Sequence, residues 1–152
     1  MLTKLKISTI IFLSFLIAIT NLGFFSACKN EVVLDETELA FLNLINDTRI
    51  ENNLNSLMPG QKLMDTAKSR CEDMMARNYF SHYTPEGKRP RYAEILGRAK
   101  PISYGTPENF LDAWSNSQSH KEVILNPNYK KIGIAIVDNN NIRIVTIIFS
   151  KK

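Results

Sequence analysis

Cysteine, histidine and tryptophan are scarce in this chain, which contains two, two and one of them. The cysteines are Cys28 and Cys71, and only Cys71 falls inside the predicted folded domain, so no intrachain disulfide is expected. Two histidines alone rarely hold Zn²⁺, because a lasting zinc site takes three or four protein ligands, or three and a water. The sequence therefore excludes a disulfide framework and argues against a tight native metal site.

Acidic residues are absent from the first 27 positions, where Lys4 and Lys6 precede a long uncharged apolar run. A positive start followed by an apolar run is the layout of a secretory signal. Two small residues, Ser26 and Ala27, stand before Cys28, as a lipoprotein signal peptidase requires. We predict a cleaved lipoprotein signal over residues 1–27, and an uncleaved membrane anchor or ordinary secretion is the alternative.

Residues 28–35 are expected to form an acylated cysteine and a short tether, and residues 36–152 one folded domain. Buried acyl chains contribute ~0.8 kcal/mol per CH₂ to membrane attachment. We therefore predict a bacterial membrane lipoprotein that faces the extracytoplasmic side, in the periplasm or at the cell surface. The formal charge of +4 includes both lysines of the signal, so a nucleic acid partner has no support. The sequence leaves the oligomeric state open.

The apolar pattern behind the tether predicts helices first and strands last. Residues 36–52 follow a helical period with Asn, Asp and Arg on the polar side. A second helix runs to about Asn78, with Cys71 as a small buried hydrophobe in its apolar stripe. Further helices are expected over 91–98, from Thr106 onward and over 118–125. β-Branched runs over 131–137 and 142–150 predict a hairpin, and this order is typical of an α+β fold in which helices cover a sheet.

Three segments carry a family resemblance when they are taken together. They read FLNLINDTRIENNLNSL, RNYFSHYTPEG and AWSNSQSHKEVILNPNYKKIGIAIV. In this order they resemble the bacterial branch of the CAP superfamily, whose domain is also called the SCP domain, from about Glu36 to Phe149. The resemblance implies an α-β-α sandwich in which helices cover a small antiparallel sheet that ends in the C-terminal hairpin. It also implies a cleft of two histidines and two acids, where some members bind a divalent metal.

The resemblance also assigns residues to that cleft. The family histidines fall on His82 and His120, and the second acid falls on Ser117, three residues after the family tryptophan. The first acid belongs to a Gly-Glu-Asn motif that this chain lacks, and the alignment places Lys100 there. Glu108 is the nearest acid, but it stands in the first turn of a helix, where it favours the helix dipole. We therefore expect a degenerate metal site that binds zinc only weakly, through His82 and His120.

Two functions are compatible with this cleft. A non-catalytic binding or interaction module is favoured, because no carboxylate is obviously placed to orient either histidine as a base. The alternative is a protease-like hydrolase in which His82 or His120 activates Ser117. A shared fold does not transmit a reaction, so no catalytic residue is assigned from the resemblance alone.

The segment before the Thr106 helix is basic. Glu94 is its one acid, and such a segment would attract a lipid headgroup or an acidic glycan. The competing interpretation is a solvated loop and helix face. The expected partners are thus the membrane, through the N-terminal lipid, and a lipid, glycan or protein ligand. The basic residues are Lys88, Arg89, Arg91, Arg98 and Lys100.

Overall fold

The structure, a computed structural model, describes residues 31–152, and the predicted signal and Cys28 lie outside the described residues. No helix within this part of the chain is long and apolar enough to cross a membrane. This part contains four α-helices, one 3₁₀ turn and four strands. Their bounds are α1 Glu36–Glu51, β1 Met58–Pro59, α2 Gln61–Ala76, β2 Ala93–Ala99, a 3₁₀ turn Ile102–Tyr104, α3 Pro107–Ser115, α4 Gln118–Ile124, β3 Lys131–Asn139 and β4 Ile142–Ser150.

The strands form one sheet in the order β1-β3-β4-β2. The predicted hairpin is confirmed, since β3 and β4 pair antiparallel with Asn139 opposite Ile142. Asn140 and Asn141 form its loop with φ of 47° and 62°, left-handed values that Asn tolerates in a two-residue turn. β2 pairs antiparallel with β4. The two residues of β1 add a parallel partner to β3, which the sequence did not predict.

Helices cover both faces of the sheet, which confirms the α-β-α sandwich. Phe41 of α1 and Trp114 of α3 belong to the apolar cluster on one face, together with alternate residues of β3 and β4. The stripe of α2 packs in a second cluster, against the residues of β3 and β4 that point the other way. Cys71 lies in that stripe with no exposed surface, as predicted. Burial raises the pKa of its thiol to about 11.

The segment predicted as a short helix over 91–98 is the strand β2, so that prediction was wrong. Strand residues 94–97 are all buried, because helices lie on both faces of the sheet and the usual polar alternation is lost. A short apolar run of this kind cannot be distinguished from a buried helix by its period alone. Helix α3 packs so closely against β2 that a Cβ at Gly97 would lie 2.5 Å from the Phe110 ring.

Arg49, expected on the polar side of the first helix, has no exposed surface. Its guanidinium donates to the carbonyls of Asn55, Ile124 and Asn126 at 3.0, 2.6 and 3.0 Å. Desolvation lowers the pKa of Arg49, but the carbonyls at the end of α4 present the negative end of a helix dipole to its charge. Arg49 therefore ties the end of α1 to the end of α4.

Candidate functional site

The loop between α2 and β2 carries His82. Arg77, beside the end of α2, holds this loop by pairing with Asp73 at 2.7 Å and with Glu86. The hydroxyl of Tyr79 donates to the same Asp73. These contacts brace the loop from within, and the His82 side chain is left about half exposed.

Glu94 is the polar centre of the site. It is the second residue of β2, and only 1% of its side chain is exposed. Arg70 of α2 donates to it twice, from Nε to Oε2 at 3.3 Å and from Nη2 to Oε1 at 3.1 Å. His82 Nδ1 lies 3.1 Å from the same Oε1. A carboxylate buried to this degree needs a paired charge, and Arg70 supplies it.

Arg70 also connects to the loop that carries His82. Its Nη1 donates to the Tyr79 hydroxyl at 2.9 Å, and its Nη2 donates to the carbonyl of Ser81 at 2.8 Å. Burial lowers the pKa of Arg70, but the hydrogen bonds and charge of Glu94 outweigh it, so the net shift is upward. One guanidinium therefore joins α2, β2 and the His82 loop, and its charge is fixed.

His120 lies in the first turn of α4 and is half-buried. Its Nδ1 is 2.8 Å from Ser117 Oγ, which is 3.3 Å from Ser119 Oγ. Ser117 is the N-cap residue of α4, so the contact joins a cap residue to the side chain three positions later, a spacing common at helix starts. The structure thus places His120 and Ser117 together.

The two imidazoles are electrostatically coupled. Burial lowers the pKa of His120, and a charge on His82 lowers it further. Each ring uses Nδ1 for its contact with Glu94 or Ser117, and neither Nε2 makes a hydrogen bond with residues 31–152. An open cavity of about 410 Å³ beside His82, Tyr83 and Arg89 gives solvent access to this region.

A carboxylate does lie beside one histidine, because Glu94 contacts His82, which corrects the expectation that no carboxylate is placed to orient either histidine. Lys100 is exposed and follows the end of β2. Glu108 is exposed in the first turn of α3 and makes no hydrogen bond to either histidine within the described part of the chain. The sequence did hold a signal for Glu94. It interrupts the apolar run of β2, and an acid in such a run is almost never buried unless paired.

The donor set shows whether the divalent metal implied by the resemblance would fit. The two Nε2 atoms remain as ligands, but both oxygens of Glu94 already accept hydrogen bonds from Arg70. Residues 31–152 contain no group of three or more His, Cys, Asp or Glu side chains that could hold an ion. Since zinc takes three or four such ligands, these residues do not fit a tightly bound zinc ion.

Comparison with known sequences gives one family and two relatives that match over part of their length. A sequence model of the cysteine-rich secretory protein family, CAP, matches residues 42–149. The protein YkwD of Bacillus subtilis strain 168 is 31% identical over 116 residues, which cover 69% of this chain and 44% of YkwD. The chain therefore spans less than half the length of this relative.

The solved structures that share the fold include two bacterial proteins. An outer surface protein from Borrelia burgdorferi has a TM-score of 0.68 and 24% identity, covering 80% of this chain and 97% of that one. An extracellular SCP-domain protein from Bacillus anthracis has a TM-score of 0.56 and 24% identity, covering 74% and 40%. Both confirm the architecture of the sandwich.

Proposed function

This chain belongs to the CAP family of cysteine-rich secretory proteins, and we propose that it is a non-catalytic binding module held by a lipid on Cys28 at the extracytoplasmic face of a bacterial membrane. The contacts of Glu94 with Arg70 and His82 are the observation that supports a non-catalytic role for the cleft. The guanidinium donates to both oxygens of the carboxylate and so competes with a metal ion for their lone pairs, which makes Glu94 a poor metal ligand. The cluster instead fixes the His82 loop to α2 and β2.

Zinc titration tests whether the cleft is a degenerate metal site. The full-length chain in mild detergent is titrated with Zn²⁺ by calorimetry, beside a His82→Ala/His120→Ala variant. We expect weak, submillimolar binding that the variant loses, because two imidazoles bind divalent ions only loosely. Micromolar or tighter binding in the parent chain would mean that a further ligand completes the site, and the proposal would fail.

The lipid anchor is tested at the two cysteines. Support for it comes from the small residues before Cys28 and from the likeness to a Borrelia outer surface protein. In cells fed a labelled fatty acid, Cys28→Ala should lose the label and leave the membrane fraction, because acyl chains provide the attachment. Cys71→Ala is the matched control, since Cys71 lies inside the core. Retained label in Cys28→Ala would refute the anchor.

A hydrolase is the second candidate, and one contact favours it. Ser117 Oγ lies 2.8 Å from His120 Nδ1, and the lowered pKa of His120 keeps that imidazole neutral and able to accept a proton at pH 7. No carboxylate within residues 31–152 hydrogen-bonds to His120 to orient it, as nucleophilic catalysis requires. Turnover of a peptide or ester library that Ser117→Ala and His120→Gln each abolish, in folded protein, would establish the hydrolase.

A further inference from the structure

A second cavity lies at the end of the sheet where α2, β2 and β3 begin and β4 ends. Its volume is about 580 Å³, within the range of ~300–1,000 Å³ that small-molecule sites occupy. We call it the basic pocket, because its lining contains five cationic side chains and no acidic side chain: Lys62, Arg91, Lys131, Lys151 and Lys152. It shares no lining residue with the His82 cavity.

The cations of the basic pocket have no internal counter-charge. None of the five forms an ion pair with residues 31–152, whereas Arg70, Arg77 and Arg143 all do. The pocket also adjoins the first turn of α2, whose N-terminal dipole end is positive. Like charges lining one concave surface focus a positive potential there and raise the local concentration of anions.

Two tyrosines give the pocket its apolar surface. Tyr129 packs on Phe149 with ring centroids 5.6 Å apart, and the Arg91 guanidinium lies 5.7 Å from the centre of the Tyr92 ring. Neither Tyr92 nor Tyr129 has a hydroxyl hydrogen bond to residues 31–152. Because Phe149 and Leu63 are almost completely buried, the surface offered to a ligand is mainly these partly exposed rings. Aromatic rings whose hydroxyls have no partner within residues 31–152 suit the C–H face and the hydroxyls of a sugar ring better than an acyl chain.

The basic pocket lies far from the start of α1. Asp138 and then Asp35 raise the pKa of Arg143, so the start of α1 lies near the hairpin end of β4. The pocket is at the other end of strands nine residues long, roughly 30 Å away.

We propose that the basic pocket binds an acidic oligosaccharide, with sugar rings against Tyr92 and Tyr129 and acid groups on the surrounding cations. Arg91 would bind a carboxylate or phosphate oxygen pair through its planar fork, and the lysines would act as point charges. This site is separate from the His82 cleft, which is the site formed by Arg70, His82, Glu94, Ser117 and His120. The proposal for the pocket therefore does not depend on the outcome of the zinc or hydrolase experiments.

Binding of tetragalacturonate to the full-length chain, measured by calorimetry, tests the proposal. The pocket variant is Arg91→Gln/Lys131→Gln. The control is Arg98→Gln/Lys130→Gln, which removes the same charge from an exposed residue of β2 and from the lysine beside Lys131. We expect about tenfold weaker binding for the pocket variant and about twofold or less for the control, because only the first pair touches the ligand.

Companion probes separate the sources of binding. Neutral maltotetraose and inorganic phosphate should each bind far more weakly than tetragalacturonate, and added salt should weaken binding of the parent chain. Equal losses in both variants would reduce the effect to diffuse surface charge and overturn the proposal. So would phosphate binding as tight as that of tetragalacturonate, or the absence of tetragalacturonate binding. Dihexanoyl phosphatidylglycerol binding in place of the oligosaccharide would assign the pocket to a lipid headgroup instead. A thermal melt of each variant confirms folding.

Discussion

The His82 cleft and the basic pocket draw on adjoining residues at the start of β2, yet they treat charge in opposite ways. In the cleft, the buried Glu94 is compensated by Arg70 and contacts His82 within the chain. In the pocket, five cations line one concavity without an acid. Paired buried charges hold a fold together, whereas uncompensated like charges repel one another and suit a ligand of opposite sign. The buried charge of the cleft is therefore compensated within the chain, whereas the exposed cations of the pocket suit an anionic ligand.

Solvent exposure sharpens the contrast. Only 1% of the Glu94 side chain is exposed, so its interaction with Arg70 is poorly screened. The pocket cations are exposed, and water and salt screen them. Substitutions in the cleft should therefore change stability strongly, and substitutions in the pocket should change binding with little effect on stability.

The largest effect is expected for Arg70→Met. This change leaves the Glu94 carboxylate buried without its cation, which costs about 3–5 kcal/mol in comparable pairs. We expect a loss of this order in the free energy of unfolding, measured by urea denaturation at pH 7. Removing both charges, in Arg70→Met/Glu94→Leu, should restore most of the loss because no charge is then stranded.

Arg77→Met is the matched control for that experiment. Arg77 also bridges two acids, but it does so at the surface, where an ion pair contributes little. Its loss of stability should be much smaller than that of Arg70→Met. Comparable losses of stability in the two variants would contradict the claim that burial makes the Arg70 ion pair contribute more to stability than the Arg77 ion pairs.

The sequence predicted the helices and the hairpin because their signals are local. Thr106 caps α3, accepting a hydrogen bond from Asn109 N, and Pro107 stands at its first position. The hairpin loop needs two residues with positive φ, and the chain offers Asn140 and Asn141 there. Each of these elements is determined by a few neighbouring residues.

What the sequence failed to predict depends on long-range contacts. The sequence indicates that Arg49 is a polar helix residue, but two of its partners, the carbonyls of Ile124 and Asn126, lie 75 and 77 residues further along the chain. β2 is a strand because β4 lies beside it, and its own pattern carries no alternation. The sequence did not assign Glu94 to the site for the same reason, because its role depends on contacts with Arg70 and His82, which lie elsewhere in the chain. The histidines were predictable only because a family resemblance marked them.

A smaller effect is expected in the pH dependence of the cleft. The folded pKa of His120 is lowered, first by burial and then by His82. Below the ordinary imidazole value near 6.5, the unfolded chain therefore binds more protons than the folded one, so this group's contribution to stability falls as the pH drops through the folded pKa. Between pH 7 and pH 5, His120→Gln should lose less stability than the parent chain in urea denaturation.

The coupling between the imidazoles can be measured directly, because the chain has two histidines. In His82→Gln one imidazole signal remains, and NMR titration should give a higher pKa for His120 than in the parent chain, since the charge that lowers it is gone. An unchanged pKa would mean that burial alone sets the titration of His120, and that the two histidines act independently.

The smallest effect is expected for the stability of the Arg91→Gln/Lys131→Gln pocket variant, because the pocket cations are exposed and unpaired, unlike the charges of the cleft. Removing two unpaired exposed charges should change the free energy of unfolding by less than about 0.5 kcal/mol. The sign should be stabilising at low salt, because like-charge repulsion is relieved, and the gain should vanish in high salt, where screening already relieves it. Urea denaturation of this variant and of Arg98→Gln/Lys130→Gln, in low and high salt, checks both statements. A marked loss of stability confined to the pocket variant would show that Arg91 and Lys131 stabilise the fold. A cation that serves only to bind a ligand does not contribute to the stability of the unliganded chain, so its removal should cost none.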